Sequence, residues 1–401
     1  MIPAAFAIGR LPRVEFGAGA FGRVPDILAH YGDRVMLVTG SRSFPSTPQW
    51  NDLITAFGER NVTWYHVSID AEPSPQLIDA VVAEYAGTGV DVVLGVGGGS
   101  ALDAAKAIAG LLRVQRSVMD YLEGVGPELP YAGPAVPLVA VPTTAGTGSE
   151  ATRNAVLSTA GTDGFKKSFR DEQLVAEYAV VDPELLASCP PRVVAANGMD
   201  ALTQLLESYV SLRANAFTDA LAVSGLHAVR DGLLPWYENS AQDTGEDAPV
   251  ARSRMAYAAL LSGITLAHCG LGAVHGLASP LGAFYPIPHG VACGTLVATC
   301  TAINIDALGA RAPDSVALDK YAAAAGILCG RSFSNREAAW QGLVSLLAEW
   351  TARLKLPRLG DYGLEAGGLD HVVAHSRGSS MRTNPLVLTD AEIRTCLQER
   401  L

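Results

Sequence analysis

Residues 91–110 read DVVLGVGGGSALDAAKAIAG. Asp91–Val96 is a short apolar run with the β-branched character of a buried strand, and it enters Gly97-Gly98-Gly99-Ser100. A pattern of small and apolar residues at helical spacing follows, with Asp103 and Lys106 inside it. Strand, glycine loop and helix in that order form the repeating unit of a parallel α/β sheet. Glycines let a ligand approach the backbone. The helix that follows offers free N–H groups and a positive dipole end, which suits a pyrophosphate. The pattern is not GxGxxG, so the usual dinucleotide fingerprint is absent, and three glycines after a strand also serve as a plain tight turn.

Working outward, the same alternation covers the first ~180 residues. Val35–Thr39, Thr63–Ser68 and Val136–Val141 read as further strands, with amphipathic helices such as Pro75–Tyr85 and Ala101–Leu112 between them. The strand at Val136–Val141 enters Pro142 and then Thr143-Thr144-Ala145-Gly146-Thr147-Gly148-Ser149-Glu150, a loop of hydroxyls and glycines. Hydroxyl donors beside a phosphate loop bind phosphate, ribose or a carboxamide; the alternative is an ordinary Ser/Thr-rich loop. Two such loops at strand ends predict a crevice at the carboxyl edge of the sheet. After Asp182-Pro183 and Cys189-Pro190-Pro191 the texture changes to Ala/Leu-rich helical stretches: Val193–Tyr209, Thr218–Leu234, Val250–His268, Ser315–Leu328 and Arg336–Leu354. The expected organisation is an α/β dinucleotide-binding domain with a parallel sheet over 1–189 and an all-helical domain over 190–401. Residues 239–249 read as a solvated loop.

The chain of 401 residues is 49% hydrophobic and 17% charged, with net charge −11 and no basic run. That argues against nucleic-acid or anionic-membrane partners. The lean charge predicts surface buried between subunits, as a homodimer or higher homo-oligomer. No segment reaches about 18 uninterrupted apolar residues, so no membrane span is expected. The start of the chain lacks the basic and apolar regions of a signal peptide. Six cysteines (Cys189, Cys269, Cys293, Cys300, Cys329 and Cys396) show no CxxC pairing and read as reduced core thiols of a cytoplasmic protein.

In the second half, Asp200 and Gln204 share one helix face. His275 and His289 follow, with Pro286 and Pro288 interrupting any helix between them. One carboxylate, one amide oxygen and two imidazoles make an N/O set for a divalent transition metal. Histidines in apolar helices are also common as core residues, and His268 is a further neighbour.

These residues carry a resemblance. VGGGSALDAAK (96–106), PTTAGTGSE (142–150), GMDALTQLLESY (198–209) and GAVHGLASPLGAFYPIPHG (272–290) resemble motifs of the iron-containing, group III alcohol dehydrogenases, as do EFGAG (15–19) and Thr383-Asn384-Pro385. The match runs in order from near residue 10 to near 395. It implies a dehydroquinate synthase-like pair of domains and hydride transfer between NAD(P)(H) and an alcohol, aldehyde or ketone, assisted by a divalent metal. The implied cofactor contacts are Gly97, Gly98, Gly99, Ser100, Asp103, Thr143, Thr144, Thr147 and Lys167. The implied metal positions are Asp200, Gln204, His275 and His289, holding Fe²⁺ or alternatively Zn²⁺.

Two departures stand out. The family usually has histidine where this chain has Gln204, a weaker donor. Many members also have a relay histidine where this chain has Ser279; Ser279 or His268 would then share the proton relay with the His275 centre. A metal-independent reductase of an acidic carbonyl substrate, like the maleylacetate reductases, is the alternative within the family. A non-catalytic dinucleotide-binding protein is the alternative outside it. After the first strand, NAD-preferring relatives place an acidic residue; here stand Gly40, Ser41 and Arg42, which favour the 2′-phosphate of NADP over NAD.

Overall fold

The computed structural model describes residues 5–161, 163–241 and 247–401. The chain divides into two compact units, one of Gly9–Thr159 with Lys166–Ser188, the other of Cys189–Leu401 with the described residues up to Ile8 and within 160–165.

The first unit holds β1 (Arg13–Phe16), α1 (Val24–Ala29), β2 (Arg34–Gly40), α2 (Pro48–Glu59), β3 (Thr63–Ile69), α3 (Pro75–Glu84), β4 (Val92–Gly97), α4 (Gly99–Leu111), β5 (Leu138–Pro142), β6 (Asn154–Thr159), β7 (Phe165–Arg170) and β8 (Tyr178–Val181). Six strands form a wholly parallel sheet in the order β1-β8-β5-β4-β2-β3, while β6 and β7 pair separately. The centre of that sheet is buried almost without a break along β2, β4 and β5, as parallel strands covered on both faces require. Thr47 and Ser74 cap α2 and α3 through their side chains. From β2 the chain runs outward to β3, then returns to β4 on the opposite side of β2. The direction of winding thus reverses between β2 and β4, where open α/β sheets bind ligands.

The second unit is helical: α5 (Pro191–Val210), α6 (Ala216–Asn239), α7 (Ala248–Cys269), α8 (Ala273–Phe284), α9 (His289–Arg311), α10 (Val316–Cys329), α11 (Arg336–Arg353), α12 (Leu369–His375) and α13 (Asp390–Gln398). Helix α5 lies against α6, α7 and α9, and α9 also packs on α8, α11 and α13. By length and composition α9 is apolar enough to cross a membrane, but it is mostly buried among these neighbours and reads as a core helix. The predicted loop at 239–249 is shorter than expected, since Asn239 still belongs to α6 and Ala248 opens α7; residues 242–246 lie outside the described residues. Strands β1, β6, β7 and β8 lie outside the stretches whose sequence marks them as strands.

Candidate metal centre and nucleotide loops

The two glycine-bearing loops interlock. Helix α4 begins at Gly99 with Gly98 as its N-cap, two residues earlier than expected. The backbone N–H of Thr143 donates to Gly97 O at 2.9 Å, which ties the ends of β4 and β5 together. A Cβ added to Gly99 would sit 2.8 Å from Thr147 Cγ2, and one on Gly98 3.3 Å from Thr144 Oγ1. Glycine is therefore required at 99 by the approach of the second loop, while a Cβ at 98 would need Thr144 to give by a few tenths of an ångström. Gly40 ends β2 beside them, with nothing within 4 Å of where a Cβ would lie, and Ser41 and Arg42 are exposed. Ser100 is half-buried in the first turn of α4.

Beneath the loops Lys106 is wholly buried. Its ammonium donates to Ser149 Oγ at 2.7 Å, Thr152 Oγ1 at 2.7 Å and Asn154 O at 2.8 Å, and lies 3.4 Å from Asp103 Oδ1. Asp103 in turn accepts from Ser149 Oγ at 2.5 Å. Burial lowers the lysine pKa and raises that of the aspartate, and each opposes the shift of the other. Asp103, expected to contact the cofactor, is thus engaged in holding Ser149 and Lys106. Lys167, on β7, is half-buried beside Gly124.

In the helical unit, Asp200 projects from α5, His275 from the first turn of α8 and His289 from the first residue of α9. Asp200 Oδ1 lies 3.2 Å from His275 Nε2 and 3.6 Å from His289 Nε2. Cys293, one turn along α9 from His289, places Sγ 3.5 Å from His275 Nε2 and 3.8 Å from His289 Nε2. One ligand atom from each of these four residues lies within 4.8 Å of the other three. Asp200 Oδ2 is buried and accepts no hydrogen bond among the described residues. Burial pushes the Asp200 carboxyl pKa up, but His289 and His275 outweigh it and hold the pKa below its ordinary value. Burial likewise disfavours a charged His275, yet Cys293, Glu207 and Asp200 more than offset it and raise its pKa well above normal. A buried carboxylate with a spare lone pair, two imidazoles and a thiol calls for positive charge at its centre, which is what a divalent cation supplies.

Glu207 went unnoticed in the sequence although it lies seven residues after Asp200, on the same face of α5. Its Oε2 accepts from His275 Nδ1 at 2.6 Å and its Oε1 from the backbone N–H of Val274 at 2.6 Å. The Nδ1 contact leaves the Nε2 lone pair facing Asp200 and Cys293. Asn384 Oδ1 accepts from Ala273 N at 3.0 Å, and Thr383 Oγ1 donates to Leu271 O at 2.6 Å. The late Thr-Asn-Pro motif therefore clamps the start of α8. Gly272 is needed there because a Cβ would meet both Glu207 Oε1 and Asn384 Oδ1 at 2.9 Å. Glu207→Gln is expected to lower metal affinity by roughly 10- to 100-fold, as loss of an outer carboxylate partner does. Chelator competition checks this, and unchanged affinity would show that Glu207 only caps α8.

The remaining candidates are placed differently. Gln204 is buried one turn from Asp200, but its Oε1 accepts a 2.6 Å hydrogen bond from Ser262 Oγ on α7. His268 donates to Ile264 O at 2.7 Å and meets the ring of Phe217, so its contacts do not include the cluster. Ser279 is exposed, one turn beyond His275 on α8.

A family model described as iron-containing alcohol dehydrogenase matches residues 12–183, and one for the C-terminal part of the same family matches 194–401. The chain belongs to the iron-containing alcohol dehydrogenase family. It is an oxidoreductase of alcohol dehydrogenase type that works with a nicotinamide dinucleotide and a divalent metal. Among relatives, alcohol dehydrogenase 4 of Schizosaccharomyces pombe is 32% identical over 96% of this chain and 87% of its own length. Lactaldehyde reductase of Escherichia coli is 31% identical over 75% of this chain and 76% of its own. Among solved structures, the alcohol dehydrogenase from Oenococcus oeni superposes with a TM-score of 0.86 at 26% identity, covering 99% of this chain and 100% of that one.

Proposed function

We propose that this iron-containing alcohol dehydrogenase family member interconverts a small aldehyde or ketone and its alcohol, holding a divalent cation on Asp200, His275 and His289 and preferring NADP(H). The observation that carries the reading is the convergence of His275 and His289, from two further helices, on Oδ1 of the buried Asp200, whose other oxygen, Oδ2, accepts no hydrogen bond among the described residues. Relatives named for alcohols and for lactaldehyde support the substrate class. When bound, the cation supplies Lewis-acid polarisation of a carbonyl or stabilisation of an alkoxide. Asp200 contributes the negative charge, and Glu207 orients the His275 ring. Gly97–Gly99 and the N-terminus of α4 bind pyrophosphate, with Thr143, Thr144 and Thr147 as neighbouring donors. Ser279 offers an exposed hydroxyl one turn from His275 for passing a proton.

Elemental analysis of anaerobically purified protein, with aldehyde reduction assayed before and after chelation, tests the reading. About one cation per chain is expected, with turnover lost on chelation and regained with metal. Sustained turnover without metal would replace it by metal-independent reduction. Lost turnover that no added Fe²⁺ or Zn²⁺ restores would leave dinucleotide binding alone.

The preference for NADP(H) rests on Arg42, exposed next to Gly40 at the carboxyl end of β2. Gly40 has open space where a side chain would go, so Gly40→Asp introduces a carboxylate without a clash. The variant is expected to lose on the order of tenfold or more in kcat/KM with NADPH, since like charges brought together cost several kcal/mol. Its efficiency with NADH should hold or rise. An unchanged NADPH-to-NADH ratio would remove this loop from cofactor choice.

A further inference from the structure

We propose that Cys293 is the fourth protein ligand of the metal centre, bound as a thiolate and supplying the strong donor that the neutral amide of Gln204 is not. The inference rests on the metal reading above and concerns which side chains complete it.

Distances carry the argument. Bonds of about 2.0–2.3 Å in a tetrahedral site require donor atoms about 3.3–3.8 Å apart. Four donor separations here are 3.2, 3.6, 3.5 and 3.8 Å, and the latter two end on Cys293 Sγ. The spacing of His289 and Cys293 on α9 repeats that of Asp200 and Gln204 on α5: each pair is one helical turn apart. On α9 both side chains face the cluster. On α5 Asp200 does so, while the neutral amide oxygen of Gln204 already accepts a hydrogen bond from Ser262 Oγ. A buried cysteine is often no more than a small apolar filler. This one has its sulfur against two imidazole nitrogens, close to a buried carboxylate whose Oδ2 accepts no hydrogen bond among the described residues. The sulfur thus meets polar groups rather than the apolar packing of a filler, and a ligand requires such neighbours. On coordination the S–H proton leaves to solvent and the sulfur electron pair bonds to the cation. A thiolate among imidazoles and a carboxylate makes a softer centre than nitrogen and oxygen alone. It shifts preference toward Zn²⁺ over Fe²⁺.

The test uses the whole enzyme, stripped of metal and loaded with Co²⁺ under anaerobic conditions. Wild type is expected to show a sulfur-to-cobalt charge-transfer band in the near ultraviolet, and Cys293→Ser to lose that band. The serine variant should bind Zn²⁺ more weakly by on the order of a hundredfold, at least the loss caused by removing an outer partner. Its preference for Zn²⁺ over Fe²⁺ in direct competition should narrow. Adding Gln204→His to Cys293→Ser should restore affinity without restoring the band, which also shows that the first loss was not misfolding. Cobalt bound to wild type without the band would overturn the proposal and leave the metal reading standing. Failure of wild type to bind cobalt, zinc or iron would overturn both.

Discussion

Asp200→Asn is expected to empty the metal centre and to lower kcat/KM for aldehyde reduction by on the order of a thousandfold. Asp200 is the acidic residue among the four clustered side chains, and it stands within 3.6 Å of both imidazoles. Asparagine keeps the shape but removes the charge that offsets a dication. Two imidazoles and a thiol would then have to hold the cation without that carboxylate, at a buried position where charge must be compensated. A Lewis acid contributes several kcal/mol to carbonyl polarisation, and each 1.36 kcal/mol is about tenfold in rate. Metal analysis, steady-state kinetics and thermal unfolding together check the expectation. The variant should remain folded, since the amide fits the same space. Retained metal with kcat/KM within about tenfold of wild type would show that Asp200 is not a ligand.

The second large effect is on stability. Lys106→Met leaves the carboxylate of Asp103 without its cation and removes the donor shared by Ser149, Thr152 and the carbonyl of Asn154. Removing one partner of a buried pair costs about 3–5 kcal/mol, because the other charge stays behind uncompensated. For a unit of this size that corresponds to a fall in Tm on the order of 10 °C. The loss should also reach the ligand. Ser149 anchors the loop whose Thr144 and Thr147 pack on Gly98 and Gly99, so dinucleotide affinity should fall with stability. Differential scanning calorimetry and a fluorescence titration with NADPH measure the two. A Tm shift of only about 2 °C, under 1 kcal/mol for a unit of this size, would mean that the loop is held by packing rather than by this ammonium.

The central strands and the first glycine loop were legible because a buried parallel strand entering glycines leaves a local signal, although the loop is shorter than expected, with Gly97 ending β4 and Gly99 opening α4. The edge strand β1 was not: RVEF alternates charge with apolar residues over four positions and is largely exposed. Strand β7, FKKSFR, carries lysines that break the apolar pattern. In the site, Asp200, His275 and His289 were legible through the family motifs. Glu207 and Cys293 were not, since each acts across the fold and not along the chain. Their only local trace is a helical interval, seven residues from Asp200 and four from His289. Cysteine spacing along a chain reports pairs with other cysteines, whereas Cys293 meets histidines. Gln204 is marked as a candidate donor by the helix face it shares with Asp200 and by its place in the motif. Its bond to Ser262 depends on how α7 packs on α5, which no local pattern reports.

The interlocking of the two loops in the first unit has an evolutionary corollary. Thr147 fills the space that a side chain at 99 would need, and Thr144 crowds position 98 in the same way. Volume at 99 and 147 is therefore a shared quantity: what one side chain gains the other must give up. Among descendants of this gene a larger residue at 99 is tolerated only together with a smaller one at 147. Covariance between these two distant positions would then mark lineages in which the two loops still interlock.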